Sequence, residues 1–398
     1  MVQYTSKSIP LVIVEGFLGR ADASLWGGFK EHLNKDTDIP RDVIFVSVGP
    51  VSSLHDRACE LFYALKGGTV DYGEKHARAN GHARYGRIHA EGLYSGWSRE
   101  SPLHFLGHSI GGPTIMKLQW LISTGFFGGL YHPDMLLSVT TVSAPFRGTQ
   151  VVYLLGERTD TAPAVRWLSL GDLLAKGIHI GSYLAPLLPK ILDFHTESRS
   201  LSFQKSSFIS FLQQLWRSDW AEGRDAAPFD VTFLASDERE ANEEGAINPG
   251  TFYRSYAANM TVKTSEESNI HKPSAGHALY APGLYATSYA MGSFDFSDLK
   301  PSPTFIHDVD RNPSYHANDG VVPVFSQWHP LDCESTHCRH LDIAPEEDTI
   351  ERGTWHVYDL DDANHLSIAP FWFNTSRQTM FWREMGQWLW KVDVAQCI

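Results

Sequence analysis

The sequence has 398 residues, of which 42% are hydrophobic and 20% are charged. This composition is typical of a globular enzyme and excludes a disordered chain or an array of charged helices. The 33 basic and 46 acidic residues give a net charge of −13, which disfavours binding to nucleic acid or to an anionic membrane surface. We expect a single domain over residues 1–398 that carries insertions and acts on a small molecule.

The amino-terminal segment contains one short apolar run, Leu11–Val14, which is too short for a signal-peptide core or a membrane span. Four cysteines are too few for a disulfide framework in a chain of this length. They are Cys59, Cys333, Cys338 and Cys397, and the two central ones are close enough in sequence to close a small loop. We expect reduced thiols, no transmembrane segment and a cytoplasmic protein, or a secreted one if the sequence is that of a mature form.

Apolar runs of strand length recur along the chain with helical stretches between them. Strands are predicted over residues 10–14, 43–48, 103–106, 136–142, 252–257 and 355–359. Helices are predicted over residues 57–65, 112–122 and 377–391. This alternation predicts a mostly parallel sheet with helices on both faces.

One segment interrupts the alternation. Residues 165–216 are rich in Leu, Ile and Phe, and the second half spaces these residues at helical intervals. We expect a pair of amphipathic helices inserted after the fourth strand. Two interpretations stay open: the helices form a lid over an apolar cleft, or they only cover the sheet.

A G-H-S-I-G motif lies between a predicted strand and a predicted helix. Its serine, Ser109, is flanked by Gly107 and Gly111, which let strand and helix approach closely. A serine at such a turn projects its hydroxyl clear of the sheet and is the nucleophile of α/β-hydrolases. The motif therefore predicts a serine hydrolase of the α/β-hydrolase fold.

A serine hydroxyl needs a base to activate it and a carboxylate to orient that base. In this fold the acid and then the base follow the serine in the chain. Asp319 precedes an apolar run and His365 follows a predicted strand, so both are placed at carboxyl ends of strands. His316, Asp361 and Asp362 are competing candidates that spacing alone does not eliminate.

The oxyanion of the reaction needs two backbone N–H donors. The residue after the nucleophile, Ile110, supplies one of them in this fold. The turn after the first strand supplies the other, which points to Phe17 beside Gly16. Core packing is an alternative role for the Phe17 ring.

The chain resembles the thermoalkalophilic, zinc-containing lipases of Bacillus and Geobacillus from the first strand to the last helix. The densest part of the resemblance is VGPVSSLHDRACELFYALKGGTVDYGEKHARANGHARYGR, and SVTTVSAPFRGT, NDGVV and NHL extend it. In the family pattern the serine of the turn, the aspartate of NDG and the histidine of NHL form the catalytic triad. The resemblance therefore implies Ser109, Asp319 and His365.

The resemblance also implies a structural zinc site. Its four ligands correspond to Asp56, His76, His82 and Asp225 here. Two imidazoles and two carboxylates suit a closed tetrahedral zinc site without a position for water. The insertion that carries them is expected at residues 55–87 and about 217–230.

The sequence departs from the family pattern at three positions. Glu15 replaces a histidine before the oxyanion turn, and Ile110 replaces the glutamine that is common after the nucleophile. Ser367 stands where the family has an acidic calcium ligand two positions after the catalytic histidine. Because a hydroxyl is a poor substitute for a carboxylate ligand, we do not expect calcium.

The leading hypothesis for function is a carboxylic-ester hydrolase that forms an acyl-serine intermediate and prefers apolar acyl chains. The alternative is an intracellular acyltransferase or thioesterase that passes the acyl chain from a thioester to an alcohol, including macrolactone formation. Such an enzyme could receive its substrate from an acyl-carrier domain. A binding protein on an inactive scaffold is disfavoured by the complete catalytic set.

Overall fold

The structure is a computed structural model, and it describes residues 8–19, 23–187, 193–199, 201–265, 268–332, 335–341, 350–370 and 374–396. Its strands are β1 Leu11–Val14, β2 Val43–Val46, β3 Gly68–Asp71, β4 Tyr85–His89, β5 Leu103–His108, β6 Leu136–Val142, β7 Phe252–Asn259, β8 Thr261–Lys263, β9 His271–Pro273, β10 Cys338–Leu341 and β11 Trp355–Asp361. The first seven helices are α1 Phe29–Leu33, α2 Leu54–Lys66, α3 Glu74–Asn80, α4 Gly111–Ser123, α5 Val151–Leu155, α6 Leu170–Leu184 and α7 Phe208–Trp216. The other helices are α8 Ala227–Asp230, α9 Phe233–Ala241, α10 His277–Tyr280, α11 Pro282–Met291, α12 Val324–Trp328 and α13 Ser376–Gln396.

The main sheet has seven strands in the order β10-β11-β7-β6-β5-β1-β2. Every neighbouring pair in it is parallel. The six predicted strands are confirmed and form the six contiguous strands from β11 to β2. The edge strand β10 was not predicted, because its sequence CRHL is not an apolar run.

Two hydrophobic clusters cover the two faces of this sheet, and β1 contributes side chains to both of them. Val12 and Val14 pack in the cluster that contains α2 and α4. Leu11 and Ile13 pack in the cluster that contains α1 and α13. Since successive side chains of a strand point to opposite faces, a strand buried on both sides is apolar throughout. The predicted parallel α/β sheet with helices on both faces is confirmed.

A small unit formed by β3, α3 and β4 lies outside the main sheet, in the segment where the metal-binding insertion was expected. Its hairpin pairs β3 with β4 in antiparallel fashion, and α3 lies between the two strands in the sequence. The preceding helix α2 begins at a true N-cap, since the Ser53 hydroxyl accepts a hydrogen bond from the Asp56 N–H at 3.2 Å. The cap fixes where Asp56 enters the first turn of α2.

Two helices, α6 and α7, form within the apolar segment. The rings of Tyr183 and Phe211 stack at 4.2 Å between centroids and hold the two helices together. Helix α6 buries Ala175 and Ile178, whereas α7 has no buried residue among those described. Residues 188–192 and 200 of the predicted lid, like Cys333 and Cys397, lie outside the described residues.

Candidate active site

The turn after β5 is a tight strand-to-helix elbow with Ser109 at its apex. Ser109 has a φ of 55°, a left-handed conformation that a non-glycine residue rarely adopts. A Cβ on Gly107 would lie 2.5 Å from the Gly112 nitrogen, and one on Gly111 would lie 2.1 Å from the Val14 oxygen. Only glycine fits at either position, so the motif glycines permit the close approach of β1, β5 and α4.

The loop after β1 lies directly against Ser109. A Cβ on Gly16 would lie 2.9 Å from the Cβ of Ser109, so the backbone of this turn lies against the serine side chain. The N–H groups of Phe17 and Ile110 make no hydrogen bond to any residue that the structure describes. Both therefore remain available to an oxygen placed beside Ser109.

The structure brings Asp319 and His365 into direct contact. Asp319 Oδ2 lies 2.8 Å from His365 Nδ1. Its other oxygen accepts hydrogen bonds from the N–H groups of Val321 at 2.9 Å and Val322 at 2.7 Å. Asp319 is fully buried. A carboxylate held in this way fixes the Nδ1–H tautomer of the imidazole and leaves Nε2 to take a proton.

The competing candidates lie elsewhere. Asp362 contacts His277 at 3.1 Å rather than His365, and Asn364 contacts the other ring nitrogen of His277 at 3.3 Å. Asp361, at the end of β11, is exposed. His316 packs its ring against Phe296. Contact with His365 thus separates Asp319 from the acids that spacing had left open.

His108 joins the elbow to the loop that carries His365. Its Nε2 lies 3.0 Å from the His365 carbonyl oxygen, and the two rings are 5.0 Å apart. Burial and the neighbouring His365 lower the pKa of His108 to about 3, so it stays neutral and donates from Nε2 to the carbonyl. This contact places His365 next to the residue that precedes Ser109.

Arg57 is a buried residue that the sequence did not point to as part of the site. Its guanidinium donates to the carbonyl oxygens of Glu15 and Gly49 and to the hydroxyl of Thr114 on α4. Burial lowers its pKa to about 10, which leaves it charged at neutral pH. Arg57 thereby joins the turn after β1 to α4, the helix that follows Ser109. An arginine at the start of the mostly apolar predicted helix 57–65 is the signal that could have revealed it.

Glu15 does not face the oxyanion position as a free carboxylate. Its side chain is buried and accepts a hydrogen bond from the indole N–H of Trp26. Burial raises the pKa of Glu15 to about 7, against the opposing effects of Trp26 and Arg57. The carboxyl group that replaces the family's histidine is therefore directed into the core, where desolvation disfavours its charged form.

An apolar cavity of about 1060 Å³ opens at Ser109. Its walls come from the oxyanion turn, the elbow and α6, and include Phe17, Ile110, Leu174 and Ile178. This volume and lining suit a small molecule with an extended hydrocarbon part. One face of α6 thus borders the space above the nucleophile.

The four residues of the expected metal site converge. One ligand atom from each of Asp56, His76, His82 and Asp225 lies within 4.8 Å of the others. His76 Nε2 is 3.2 Å from an oxygen of each carboxylate, and His82 Nε2 is 3.3 Å from Asp225. His82 Nε2 and Asp225 Oδ1 are buried, and despite these short distances neither atom makes a hydrogen bond of acceptable geometry with the described residues. A bound cation would satisfy both atoms.

The two carboxylates influence each other strongly. Burial and the proximity of Asp225 raise the pKa of Asp56. For Asp225, the neighbouring His76, His82 and Arg199 outweigh burial and hold its pKa well below the usual range. Arg199 donates to Asp225 at 2.5 Å and to Asp56 at 3.4 Å. Sequence analysis did not identify this arginine, whose two partners lie 26 and 143 residues away along the chain.

The all-parallel main sheet and the strained elbow define an α/β-hydrolase. A family model described as "Lipase-like, C-terminal domain" matches residues 7–281, more than half of the chain. The chain therefore belongs to the lipase-like family.

Relatives and solved structures agree with this assignment. "Lipase 1" of Staphylococcus aureus is 27% identical over 415 residues, which cover 98% of this chain and 54% of that protein. The crystal structure of Staphylococcus hyicus lipase has a TM-score of 0.77 at 23% identity and covers 98% of both chains. The structure of EstA from Clostridium botulinum has a TM-score of 0.69 at 26% identity and covers 96% of this chain and 87% of that one.

The chain spans about half the length of the curated relatives it matches. Within the part of the chain that the structure describes, no helix is both long and apolar enough to cross a bilayer. A cytoplasmic location, the state of Cys333 and Cys397, and an acyl-carrier partner stay predictions.

Proposed function

We propose that this protein is a carboxylic-ester hydrolase that acts through an acyl-serine intermediate on substrates with apolar acyl chains. The observation that carries the proposal is the contact between Asp319 and His365 beside a strained elbow serine at the mouth of an apolar cavity. The names of the relatives, lipase and EstA, agree with ester hydrolysis.

In the proposed reaction, His365 Nε2 takes the hydroxyl proton as Ser109 Oγ attacks the ester carbonyl carbon. The negative charge that develops on the carbonyl oxygen is stabilised by the N–H groups of Phe17 and Ile110. The carbon–oxygen bond of the ester then breaks, and the proton on His365 passes to the leaving alcohol. In the second half, His365 activates water, which attacks the acyl-serine and releases the free acid and Ser109.

We also propose that Asp56, His76, His82 and Asp225 hold a structural zinc ion, which would place the chain with the thermoalkalophilic lipases. The donor set fits, since it has two nitrogens and two oxygens around buried atoms that lack partners among the described residues. Zinc would supply charge neutralisation and a crosslink there. Arg199, which contacts the Oδ2 atoms of both aspartates, supplies part of that neutralisation.

Helices α6 and α7 are proposed as a lid. Helix α6 lines the cavity at Leu174, while α7 exposes Phe208, Ile209 and Trp216 to solvent. A helix pair that lines the cavity on one side and exposes apolar residues on the other fits a movable cover better than a fixed sheet-covering layer.

The test of the proposed nucleophile is Ser109→Ala. This variant should lose covalent labelling by a fluorophosphonate and lose several powers of ten in ester turnover while it keeps its circular-dichroism spectrum. Ser123→Ala, at the exposed end of α4, is the matched control and should label and turn over normally. Turnover at the wild-type rate in Ser109→Ala would exclude the proposal.

An analysis of the reaction products separates hydrolysis from acyl transfer. Acyl esters and acyl thioesters, including ω-hydroxyacyl thioesters, are offered with and without added alcohols, and products are identified by mass spectrometry. We expect the free acid as the main product. Ester or lactone products that dominate over a range of acceptor concentrations would assign the enzyme to the transferases instead.

A further inference from the structure

We propose that His329, Cys338 and His340 form a second metal site, which takes a zinc ion at the edge of the main sheet. The site is separate from the nucleophile, because β10 lies four strands away from β5 in the sheet order. At the usual strand spacing that is about 19 Å.

The three side chains converge from two elements. Cys338 and His340 both belong to β10 and are two residues apart, so they project from the same face of the strand. His329 directly follows α12. One ligand atom from each residue lies within 4.8 Å of the other two. Ligand atoms around tetrahedral zinc are about 3.5 Å apart, so a shift of about 1 Å would close the site.

The hydrogen bonding of His329 suits a metal ligand. Its Nδ1 lies 2.7 Å from the carbonyl oxygen of Leu331. Because a carbonyl only accepts, Nδ1 must carry the proton, and the lone pair is assigned to Nε2. A backbone carbonyl that fixes the imidazole in this way is the usual outer contact of a metal-bound histidine.

A carboxylate also lies near the site. Asp359 accepts a hydrogen bond from the Trp328 indole at 3.2 Å, and the Trp328 ring lies 4.8 Å from the ring of His340. A negative side chain at this position would favour a bound cation.

The donor set selects the class of metal. Two imidazoles and one thiolate are borderline and soft ligands, which favour zinc over magnesium or calcium. A fourth position would be left for water. The consequence is a crosslink between the four-residue edge strand β10 and the end of α12. Since α12 begins shortly after Asp319, the same crosslink would restrain the element that follows the proposed catalytic acid.

Cobalt substitution tests the proposal with a signal that depends on sulfur. The full chain is stripped with a chelator and titrated with Co²⁺. Coordination by Cys338 should produce a sulfur-to-cobalt charge-transfer band in the near ultraviolet. The cluster of Asp56, His76, His82 and Asp225 contains no sulfur, so it cannot produce this band, and His76→Ala combined with His82→Ala should retain it.

Three variants define the outcome. Cys338→Ser should abolish the band and bind one metal equivalent fewer than the wild type. His340→Ala, at an exposed position where folding is not at risk, should weaken Co²⁺ binding at this site at least tenfold. Cys59→Ala is the matched control, because Cys59 is buried in α2 outside the cluster, and it should keep the band.

The proposal is overturned if the wild-type chain gives no band, or if Cys338→Ser retains it. A disulfide between Cys333 and Cys338, detected by mass spectrometry of the chain prepared without reductant, would also overturn it, because it consumes the thiolate. None of these outcomes depends on ester turnover.

Discussion

Two clusters of aspartate and histidine in this molecule use the same side chains and differ in one respect. In the contact between Asp319 and His365, both carboxylate oxygens have partners. In the cluster around Asp56, His76, His82 and Asp225, two buried atoms lack one among the described residues. In the first cluster, protein groups satisfy both carboxylate oxygens. The second cluster can take a further charged group.

This difference indicates two kinds of chemistry. A carboxylate whose oxygens are all satisfied holds one imidazole in a single orientation, which is what repeated proton transfer requires. Two buried carboxylates that repel each other are unfavourable unless a cation lies between them. Arg199 supplies a single positive charge to both, and a divalent ion would supply more.

Among the changes that test this comparison, Asp319→Asn should give the largest effect. The amide can hold the wrong imidazole tautomer, so kcat for a soluble ester should fall by about 10⁴ while the fold is retained. Steady-state kinetics and circular dichroism measure the two properties. Asp361→Asn changes an exposed competitor of Asp319 and should leave kcat within a factor of two or so. If Asp361→Asn lowered kcat as much as Asp319→Asn, Asp319 could not be assigned as the residue that orients His365.

The second cluster should respond in stability rather than in chemistry. Replacing His76 and His82 together by alanine should remove the zinc, detected by elemental analysis, and lower the thermal midpoint. An ion present at about 1,000 times its Kd stabilises the native state by about 4 kcal/mol. Chelator should lower the midpoint of the wild type and leave that of the double variant unchanged. The exposed His307→Ala should behave as the wild type, and zinc-free wild-type protein would exclude the site.

The sequence predicted what local patterns determine. Apolar runs identified six strands of the sheet, and the elbow followed from Ser109 and its glycines, because each of these patterns lies within a short stretch of the sequence. Arg57 and Arg199 were missed because their partners come from distant segments. The strand β10 was missed because its sequence, CRHL, is not an apolar run.

Glu15 extends the comparison to a fourth buried carboxylate, which accepts a hydrogen bond from Trp26 and forms no ion pair with the residues that the structure describes. Its pKa of about 7 lies above the ordinary value of 4.5. A raised pKa in the folded state stabilises the protein fully below about pH 4.5, and this contribution is lost as the pH rises through about 7. The loss is on the order of 3 kcal/mol.

Glu15→Gln should therefore remove this loss, so that the free energy of unfolding falls less between pH 4.5 and 7 than in the wild type. Denaturant unfolding at a series of pH values measures it. Glu31→Gln, on the exposed side of α1, should keep the wild-type profile. An unchanged slope in Glu15→Gln would show that Glu15 is already ionised in the folded protein.

The smallest expected effect concerns the apolar wall of the cavity at the proposed catalytic residues. Neighbouring leucines of α6 differ in position: Leu174 lines the cavity, whereas Leu173 is 53% exposed. Each buried methylene of an acyl chain contributes about 0.8 kcal/mol, or about fourfold in kcat/KM. Leu174→Ala should weaken the preference for longer acyl esters over acetyl esters, and Leu173→Ala should not. Equal profiles in both variants would mean that the acyl chain does not lie against α6. The helix would then only cover the sheet, although the contact between Asp319 and His365 would be untouched.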